Sequence, residues 1–251
     1  MSSEDTGKPH IVVLDDTRRV AEEVLRVFVN RVREALRKRG VFYFAIPGGK
    51  TPLEFYKLLG DSEEAKKLKW DGIHLFWVDE RLVSKDSQDS NYKLAADTFL
   101  NKVELPRENI HRVRTEFGDY ETCALVYEKE LRDIFGIAAQ QVPQFDLALL
   151  GMGGDGHIAS LFPGSGGLEN SQVGKLAGVV YGREFDRITL TPQVLLEARE
   201  IVVVVTGEKK AGVISKVFNS NPDKLKFPVH LLWEKSGKVT FIMDKSAAAK
   251  L

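Results

Sequence analysis

The chain has 251 residues, enough for one large α/β domain with a full hydrophobic core, and no shift in composition along it indicates a second domain. Its 36 Lys and Arg residues balance its 36 Asp and Glu residues, which argues against a broad surface for nucleic acid or an anionic membrane. The single cysteine excludes an internal disulfide, and no apolar run has transmembrane length. We therefore expect a single domain over residues 1–251 in a reducing compartment, with a polar tail at 1–9 and a second tail at 245–251.

Strand and helix patterns alternate along the chain. Short apolar runs predict strands, and apolar residues at three- and four-residue steps predict helices. In chain order the predicted elements are strand 11–14, a helix between cap candidates at 15–17 and a stop at Gly40, strand 41–46, helix 53–59, strand 73–78, helices 92–100 and 120–135, strand 145–150, an extended segment at 187–190, helix 192–199, strand 201–205, helix 211–218 and strand 239–243, which is expected to close the sheet. This order predicts an α/β fold, a three-layer α/β/α sandwich around a mostly parallel, Rossmann-like open sheet.

The central motif of the sequence is FDLALLGMGGDGHIASLFPGS, at residues 145–165. An apolar run of strand length ends in a cluster of four glycines, and this turn holds only two side chains that can exchange protons, Asp155 and His157. A strand, a glycine turn and a polar pair before a helix is how an open α/β sheet builds a site at its strand ends. We expect Asp155 and His157 to lie at such a site.

Two other interpretations of this motif stay open. Residues 151–156 match the G-x-G-x-x-G fingerprint of dinucleotide binding, but residues 175–180 lack the carboxylate that this fingerprint needs about 20 residues later. The motif can also be a tight turn in which Asp155 only caps the following helix. Capping alone does not explain a histidine two residues further on, so a proton-transfer site is favoured.

Three further strand ends carry residues that suit an anion. They are Gly48, Gly49, Lys50, Thr51, Arg81 and Lys210. Paired glycines let backbone N–H groups approach a phosphate, and the hydroxyl and cationic groups can bind its oxygens. Taken singly, each is as readily a turn or a solvated surface charge. Their joint placement at the carboxyl ends of parallel strands predicts one phosphate-binding cleft, although no P-loop motif occurs.

The remaining chemistry is general base catalysis. The five histidines are scattered without the spacing of a metal site, so we expect no metal and no cofactor. Cys123 lies within an ordinary helical pattern and is a poor candidate nucleophile. An imidazole titrates near neutral pH, so His157 can take a proton from water, and Asp155 is close enough in sequence to orient its ring.

Five segments together resemble a known enzyme family. They are IPGGKTPLEFYKLL, FWVDERLVSKDSQDSNY, FDLALLGMGGDGHIASLFPGS, RITLTPQVLLEARE and VTGEKKAGVI, in the family's order over nearly the whole chain. The chain is similar to 6-phosphogluconolactonases, within the superfamily of glucosamine-6-phosphate isomerase/deaminase. This resemblance implies hydrolysis of 6-phospho-D-glucono-1,5-lactone to 6-phosphogluconate, the second step of the oxidative pentose phosphate pathway, without a metal or organic cofactor.

The resemblance also implies roles for the matching residues. His157 is expected to activate the water that attacks the lactone carbonyl, with Asp155 beside it. The positions matched to the substrate and its phosphate are Gly48, Gly49, Thr51, Arg81 and Lys210, with Arg187 as a further candidate, Asp79, Gly153, Gly154 and Lys209 as secondary ones, and Lys50 as a departure from the Ser or Thr usual in relatives. Backbone N–H groups of the glycine-rich turn are candidates to stabilise the oxyanion.

Two other functions remain open. In the isomerase/deaminase branch an Asn-Glu-Pro follows the D-G-H run, whereas this chain has Phe162 in place of that Glu. Asp79 is retained where that branch has a base, which keeps this alternative open. A non-catalytic sugar-phosphate sensor is expected to carry a DNA-binding domain or to lack His157, and this sequence has neither feature.

The last expectations concern partners and location. We expect a small sugar-phosphate lactone as the partner, no nucleic acid or membrane, and a monomer or homodimer. Residues 249–251, AKL, loosely resemble a peroxisomal address, which is the alternative to a cytoplasmic location. The Gly- and Ser-rich residues 165–174 are a candidate lid over the site.

Overall fold

A seven-stranded parallel sheet forms the centre of the molecule in the computed structural model, which describes residues 7–165 and 174–251. Its strands are β1 (His10–Leu14), β2 (Phe42–Ile46), β3 (Ile73–Trp77), β5 (Ile110–His111), β6 (Leu147–Gly151), β9 (Ile201–Val205) and β10 (Val239–Asp244). They lie in the order β1-β10-β9-β6-β2-β3-β5, and every neighbouring pair is parallel. The carboxyl ends of all these strands therefore lie at one edge of the sheet.

Helices cover both faces of this sheet. They are α1 (Thr17–Arg39), α2 (Leu53–Asp61), α3 (Glu63–Lys66), α4 (Asn91–Thr98), α5 (Tyr120–Phe135), α6 (Pro192–Glu197) and α7 (Ala211–Asn219), with 3-10 turns at Trp70–Gly72, Leu100–Lys102, Arg107–Asn109, Glu208–Lys210 and Pro228–Lys238. One buried apolar cluster joins α1, α2 and α4 to the sheet, and the other joins α5, α6 and α7 to the opposite face. The predicted three-layer α/β/α sandwich is confirmed.

Local sequence signals set the ends of the long helix α1. The Asp16 side chain accepts a hydrogen bond from the backbone N–H of Arg19 at 2.8 Å, which is an N-cap. Gly40 ends the helix with a φ of 74°, a left-handed conformation that glycine adopts without steric cost. Both caps agree with the prediction.

A second sheet of three antiparallel strands was missed by the sequence reading. It consists of β4 (Asp79–Arg81), β8 (Arg187–Leu190) and β7 (Ala177–Val180), in the order β4-β8-β7. The chain passes between the sheets at Val78, whose N–H donates to Ile46 in the main sheet while its carbonyl accepts from Leu190. Residues 79–81, which follow the predicted strand 73–78, therefore form a strand that the sequence did not predict. Because Arg81 pairs directly with Arg187 in this sheet, two cationic side chains come together that are 106 positions apart in the sequence.

The edge of the main sheet differs from the prediction. β10 does not close the sheet, because β1 pairs in parallel with its outer side and forms that edge instead. The order of strands depends on pairing between distant segments, which the position of a strand in the chain does not fix.

Within the candidate lid, residues 166–173 lie outside the described part of the chain. Among the described residues, no helix combines the length and the apolar character needed to cross a membrane.

A buried carboxylate, that of Asp146, precedes β6, the strand that leads into the glycine-rich turn. Only 5% of Asp146 is exposed, and its oxygens accept hydrogen bonds from the backbone N–H of Tyr43 at 3.0 Å and from the guanidinium of Arg39. Arg199 forms an ion pair with it at 3.2 Å. These contacts join the starts of β2, β6 and β9 at the amino edge of the sheet.

Replacing this carboxylate should destabilise the fold. We expect Asp146→Ala to lower the free energy of unfolding by roughly 2–4 kcal/mol, because a buried N–H and a partly buried guanidinium lose their acceptor. Urea denaturation measures the change. The matched control is Asp61→Ala, since the Asp61 side chain is 62% exposed and forms a surface ion pair with Lys102, and its effect should stay below about 1 kcal/mol. Equal effects of the two substitutions would contradict this role of Asp146.

Candidate active site

A cleft with a volume of about 360 Å³ opens at the carboxyl edge of the main sheet. Ten of the residues predicted for the site line it: Gly48, Gly49, Thr51, Asp79, Arg81, Gly153, Gly154, His157, Arg187 and Lys210. They come from the turns after β2, β6 and β9 and from the small sheet, so the predicted convergence of strand ends is what the fold produces.

His157 and Asp155 form a hydrogen-bonded pair at this cleft. Asp155 Oδ1 lies 2.6 Å from His157 Nδ1 and also accepts the backbone N–H of His157 at 3.1 Å. Burial alone acts to raise the pKa of Asp155, but the charge of His157 and these hydrogen bonds outweigh it and hold the pKa below its usual value. An ionised Asp155 favours a hydrogen on Nδ1, so in the neutral form of the ring Nε2 carries the lone pair. Among the described residues Nε2 has no hydrogen-bond partner, which leaves it available to a water molecule.

Two glycines of this turn, Gly153 and Gly156, are required by close packing. A Cβ atom on Gly153 would lie 2.1 Å from His157 Nδ1 and 2.6 Å from Asp155 Oδ1, which is closer than atoms approach without displacement. Gly156 has a φ of +84°, and its Cβ would lie 2.8 Å from the ring of Phe227. The His157–Asp155 pair uses the space that a side chain on Gly153 would occupy, and Phe227 uses that of a side chain on Gly156.

Arg187 is the cation in the cleft that other protein groups engage least. Among the described residues its guanidinium has no hydrogen-bond or carboxylate partner, and its buried Nε is unpaired. The Cζ atom lies over the ring of Phe162, 5.0 Å from the ring centre. Burial lowers the pKa of Arg187, the charge of Asp79 opposes this, and Arg81 lowers it further, but a guanidinium stays charged. A half-buried, unpaired charge of this kind is suited to an anionic ligand.

Two further cations in the cleft are partly engaged by backbone oxygens. Lys210 Nζ donates to the carbonyl of Met152 at 2.7 Å, and Arg81 Nη1 donates to the carbonyl of Asp89 at 2.7 Å. Burial lowers the pKa of Lys210, while the charge of Asp155 acts in the opposite direction. Each side chain keeps N–H groups that can donate to an anion.

Three predicted residues do not line the cleft. Lys50 is exposed and is not among the residues that line the cleft. Lys209 is exposed as well, and of the two neighbouring lysines it is Lys210 that reaches the cleft. Asp155 lines an adjoining cavity and reaches the cleft only through His157.

Glu80 and Asn91 lie at or next to the cleft but were not among the residues predicted for the site. The Glu80 carboxylate is 2% exposed and accepts four hydrogen bonds, from the backbone N–H groups of Arg81, Asn91 and Tyr92 and from the Ser90 hydroxyl. It thereby ties β4 to the N-terminus of α4, where a carboxylate is favourable. Burial raises the pKa of Glu80 to about 7, although the three N–H donors act to lower it.

Asn91 connects this network to the cleft. Its amide group donates to the backbone carbonyl oxygen of Asp79 at 2.9 Å. The hydroxyl of Ser160 donates to a carboxylate oxygen of Asp79. A Cβ atom on Gly48 would lie 1.8 Å from Asn91 Oδ1, so the glycine at this position makes room for the amide. Glu80 and Asn91 both lie in a segment that resembles the family, but a residue that acts through buried contacts gives no separate signal in a single sequence.

Metal coordination has no candidate in the described ranges. Across residues 7–165 and 174–251, no group of three or more His, Cys, Asp and Glu side chains is placed to hold a metal ion. The expectation of a cofactor-independent reaction stays a prediction.

Comparison with known proteins identifies the family to which the chain is similar. The family model described as "Glucosamine-6-phosphate isomerases/6-phosphogluconolactonase" matches residues 15–241. The 6-phosphogluconolactonases of Nostoc and Synechocystis are each 34% identical over 244 residues, which is 97% of this chain and 99% and 98% of those proteins. The 6-phosphogluconolactonase structure from Trypanosoma brucei superimposes with a TM-score of 0.85 at 28% identity, covering 97% of this chain and 99% of that one. A monomeric glucosamine-6-phosphate deaminase has a TM-score of 0.82 at 20% identity, which shows a shared fold alone.

The chain belongs to the glucosamine-6-phosphate isomerase/6-phosphogluconolactonase family. The membership predicted from the five motifs is confirmed, and so is the expectation of an enzyme, since the relatives at 34% identity are named as enzymes. The roles of individual site residues stay proposals.

Substitution of Gly153 should break the His157–Asp155 pair. In Gly153→Ala the new methyl group would overlap His157 Nδ1, so we expect loss of the downfield Nδ1–H proton signal that a histidine–carboxylate hydrogen bond gives in NMR spectra. Gly154→Ala is the matched control, because a Cβ there meets nothing within 4 Å, and the signal should remain. Persistence of the signal in Gly153→Ala would show that the turn tolerates a side chain.

Glu80 should give the folded protein a distinct pH dependence. Its folded pKa of about 7 lies above the usual 4.5, so between these values the folded state binds the proton more tightly than the unfolded state. The free energy of unfolding should therefore fall as pH rises from about 4.5 to 7, by a few kcal/mol at most. Urea denaturation at pH 5 and pH 8 should show a smaller fall in Glu80→Gln. Glu63→Gln, at an exposed position, should keep the wild-type fall, and a Glu80→Gln protein that did the same would refute the assignment.

Proposed function

We propose that the protein hydrolyses 6-phospho-D-glucono-1,5-lactone to 6-phospho-D-gluconate, the second step of the oxidative pentose phosphate pathway. The observation that carries this is the presence, in one cleft, of a histidine with a free Nε2 and an arginine without a hydrogen-bond or ion-pair partner in the described part of the chain. A base and an anion site in the same cavity suit a substrate that has an electrophilic carbonyl and a phosphate. The names of the relatives at 34% identity support the choice of the lactone.

The reaction begins with a water molecule activated by His157. Nε2 takes a proton from water as the oxygen adds to the lactone carbonyl carbon, C1, and Asp155 holds Nδ1–H and stabilises the imidazolium that forms. The carbonyl oxygen becomes an oxyanion, for which the backbone N–H of Gly154 is a candidate donor, since the N–H of Gly153 already donates to the carbonyl of His157 at 2.9 Å. Collapse of this intermediate breaks the bond from C1 to the ring oxygen. His157 returns the proton to the ring oxygen, which leaves as a hydroxyl, and the new carboxylic acid ionises.

The phosphate end of the substrate is held by two cations of the small sheet and one from the turn after β9. Arg187 supplies an unengaged guanidinium, and Arg81 and Lys210 add N–H donors beyond those used by Asp89 and Met152. The turn at Gly48 and Gly49 contributes backbone N–H groups, and Thr51 a hydroxyl. Binding the phosphate away from the reacting carbon orients C1 toward the activated water without changing the chemistry there.

Isomerisation and deamination of glucosamine 6-phosphate is the second candidate function. Asp79, which stands where that branch of the family has a base, does lie in the cleft. Its carboxylate is already engaged by Ser160 and Asn91, however, and Phe162 occupies the cleft where that branch carries a carboxylate. These contacts favour the lactonase reaction.

The location, the assembly and the domain organisation of the protein remain predictions. A cytoplasmic monomer or homodimer, with a peroxisomal address at residues 249–251 as the alternative, remains our prediction, as does a single domain over residues 1–251.

Separate substitutions should divide catalysis from binding. His157→Ala should lower kcat by about 10²- to 10⁴-fold with a much smaller change in KM, because it removes the base. Arg187→Ala should raise KM about tenfold or more and change kcat less, because it removes a charged phosphate contact. The assay follows acid release from freshly generated 6-phosphoglucono-1,5-lactone, with spontaneous hydrolysis subtracted.

The matched control is His10→Ala, an exposed histidine on β1 outside the cleft, which should keep wild-type kinetics. Near-wild-type kcat in His157→Ala would falsify the base assignment. A wild-type protein that failed to accelerate lactone hydrolysis but released ammonia from glucosamine 6-phosphate would favour the second function.

A further inference from the structure

Phe162 contacts both ends of the proposed machinery. Its ring centre lies 4.5 Å from the ring centre of His157, with the planes inclined at 53°, and 5.0 Å from Cζ of Arg187. Phe162 lines the same cleft as these two residues. One aromatic ring therefore touches the base and the unpaired cation together.

In the described part of the chain no hydrogen bond or ion pair fixes the position of Arg187. Its guanidinium has no carboxylate or carbonyl partner there, and its strand neighbour Arg81 carries a like charge. The direct contact of the guanidinium is with the face of Phe162, beside a longer-range attraction by the charge of Asp79. An ion pair would occupy the N–H groups of the guanidinium, whereas contact through a ring face leaves them free for a phosphate.

Phe162 itself sits on a fixed turn. The Ser165 hydroxyl accepts the backbone N–H of Phe162 at 3.2 Å and donates to its carbonyl at 2.8 Å. The preceding residue, Leu161, is fully buried, and its backbone N–H donates to the carbonyl of buried Ile158 at 2.9 Å. The ring is therefore presented from a closed turn anchored in the core.

Phe162 and Arg187 also separate two cavities. Both line the cleft, and both line an adjoining cavity of about 640 Å³ that Asp155, Tyr181 and Phe185 reach from the other side. The ring and the guanidinium together form this partition. Loss of the ring would let the guanidinium move toward the adjoining cavity, away from a phosphate in the cleft.

We propose that Phe162 is a positioning residue, which holds the Arg187 guanidinium and the His157 ring at a set separation matched to the phosphate and C1 of one substrate. This inference rests on the proposed function, because it assumes that His157 and Arg187 serve the same molecule. Phe162 takes no part in bond making and acts through both neighbours. A shift of either neighbour by about 1 Å is enough to impair a reaction that depends on orientation.

Phe162→Leu keeps an apolar side chain and removes the ring face. We expect KM to rise about five- to tenfold, since the cation–π contact with Arg187 is lost. We expect kcat to fall at least about threefold, since the His157 ring is less constrained. Phe162→Tyr keeps the ring, and both constants should stay within about twofold of wild type.

Phe185→Leu is the matched control, with the same change in the adjoining cavity. Phe185 does not line the cleft, and its ring centre lies 6.0 Å from Cζ of Arg81. Arg81 also donates a hydrogen bond to the carbonyl of Asp89, so it does not depend on the ring of Phe185 for its position. Its kcat and KM should stay within about twofold of wild type. Equal losses in the two Leu variants would overturn the proposal, because they would indicate general loosening of the region.

A double-mutant cycle separates positioning from a structural role. In an Arg187→Met background, Phe162→Leu should raise KM no further than about twofold, while its effect on kcat should persist through His157. A KM effect of full size in that background would refute action through Arg187. Unchanged kinetic constants in Phe162→Leu alone would refute the proposal altogether.

Direct phosphate binding distinguishes failure of this inference from failure of the proposed function. If the wild-type protein does not hydrolyse the lactone, the proposed function fails, and calorimetry with inorganic phosphate then tests the positioning of Arg187 alone. Phe162→Leu should raise the Kd for phosphate about five- to tenfold and Phe185→Leu should not. Equal affinity of wild type and Phe162→Leu would refute the role of the ring.

Discussion

Parallel pairing of β2, β3, β6 and β9 is the constraint on which the rest of the structure depends. Parallel neighbours end at the same edge of a sheet, so the turns after these strands must meet there whatever their distance in sequence. The Asp146 carboxylate fixes the amino edge by joining the starts of three strands. The carboxyl edge is left to loops, and the loops carry the chemistry.

Close packing at this edge explains why it is rich in glycine. The Asn91 amide occupies the space where a side chain on Gly48 would lie, and His157 occupies that of Gly153. Glycine costs conformational entropy on folding, but it brings backbone N–H groups and functional side chains within contact distance of one another. Buried carboxylates then hold the arrangement, with Glu80 fixing the start of α4 and Asp79 fixing Asn91 and Ser160.

Positive charge is concentrated locally in the cleft, and its burial destabilises the folded protein. The chain as a whole carries no net charge, yet Arg81, Arg187 and Lys210 converge on one small cavity. Burial lowers the pKa values of Arg187 and Lys210, which means that the folded protein holds these cations away from water without full compensation. A phosphate in the cleft would provide that compensation, so the same imbalance that reduces stability favours binding. The ring of Phe162 limits this cost for Arg187 without using its hydrogen-bond donors.

The sequence by itself determined the features that depend on neighbouring residues. The caps of α1 at Asp16 and Gly40, the alternation of strands and helices, and the Asp155–His157 spacing all follow from local chemistry, and the five motifs indicated the family. Only the tertiary structure decided the pairing of Arg81 with Arg187 in a small antiparallel sheet, and the placement of Lys210 rather than Lys209 in the cleft. The physical reason is that strand pairing, burial and unpaired charge are relations between distant segments. A single sequence records local preferences, whereas these relations exist only once the chain has folded.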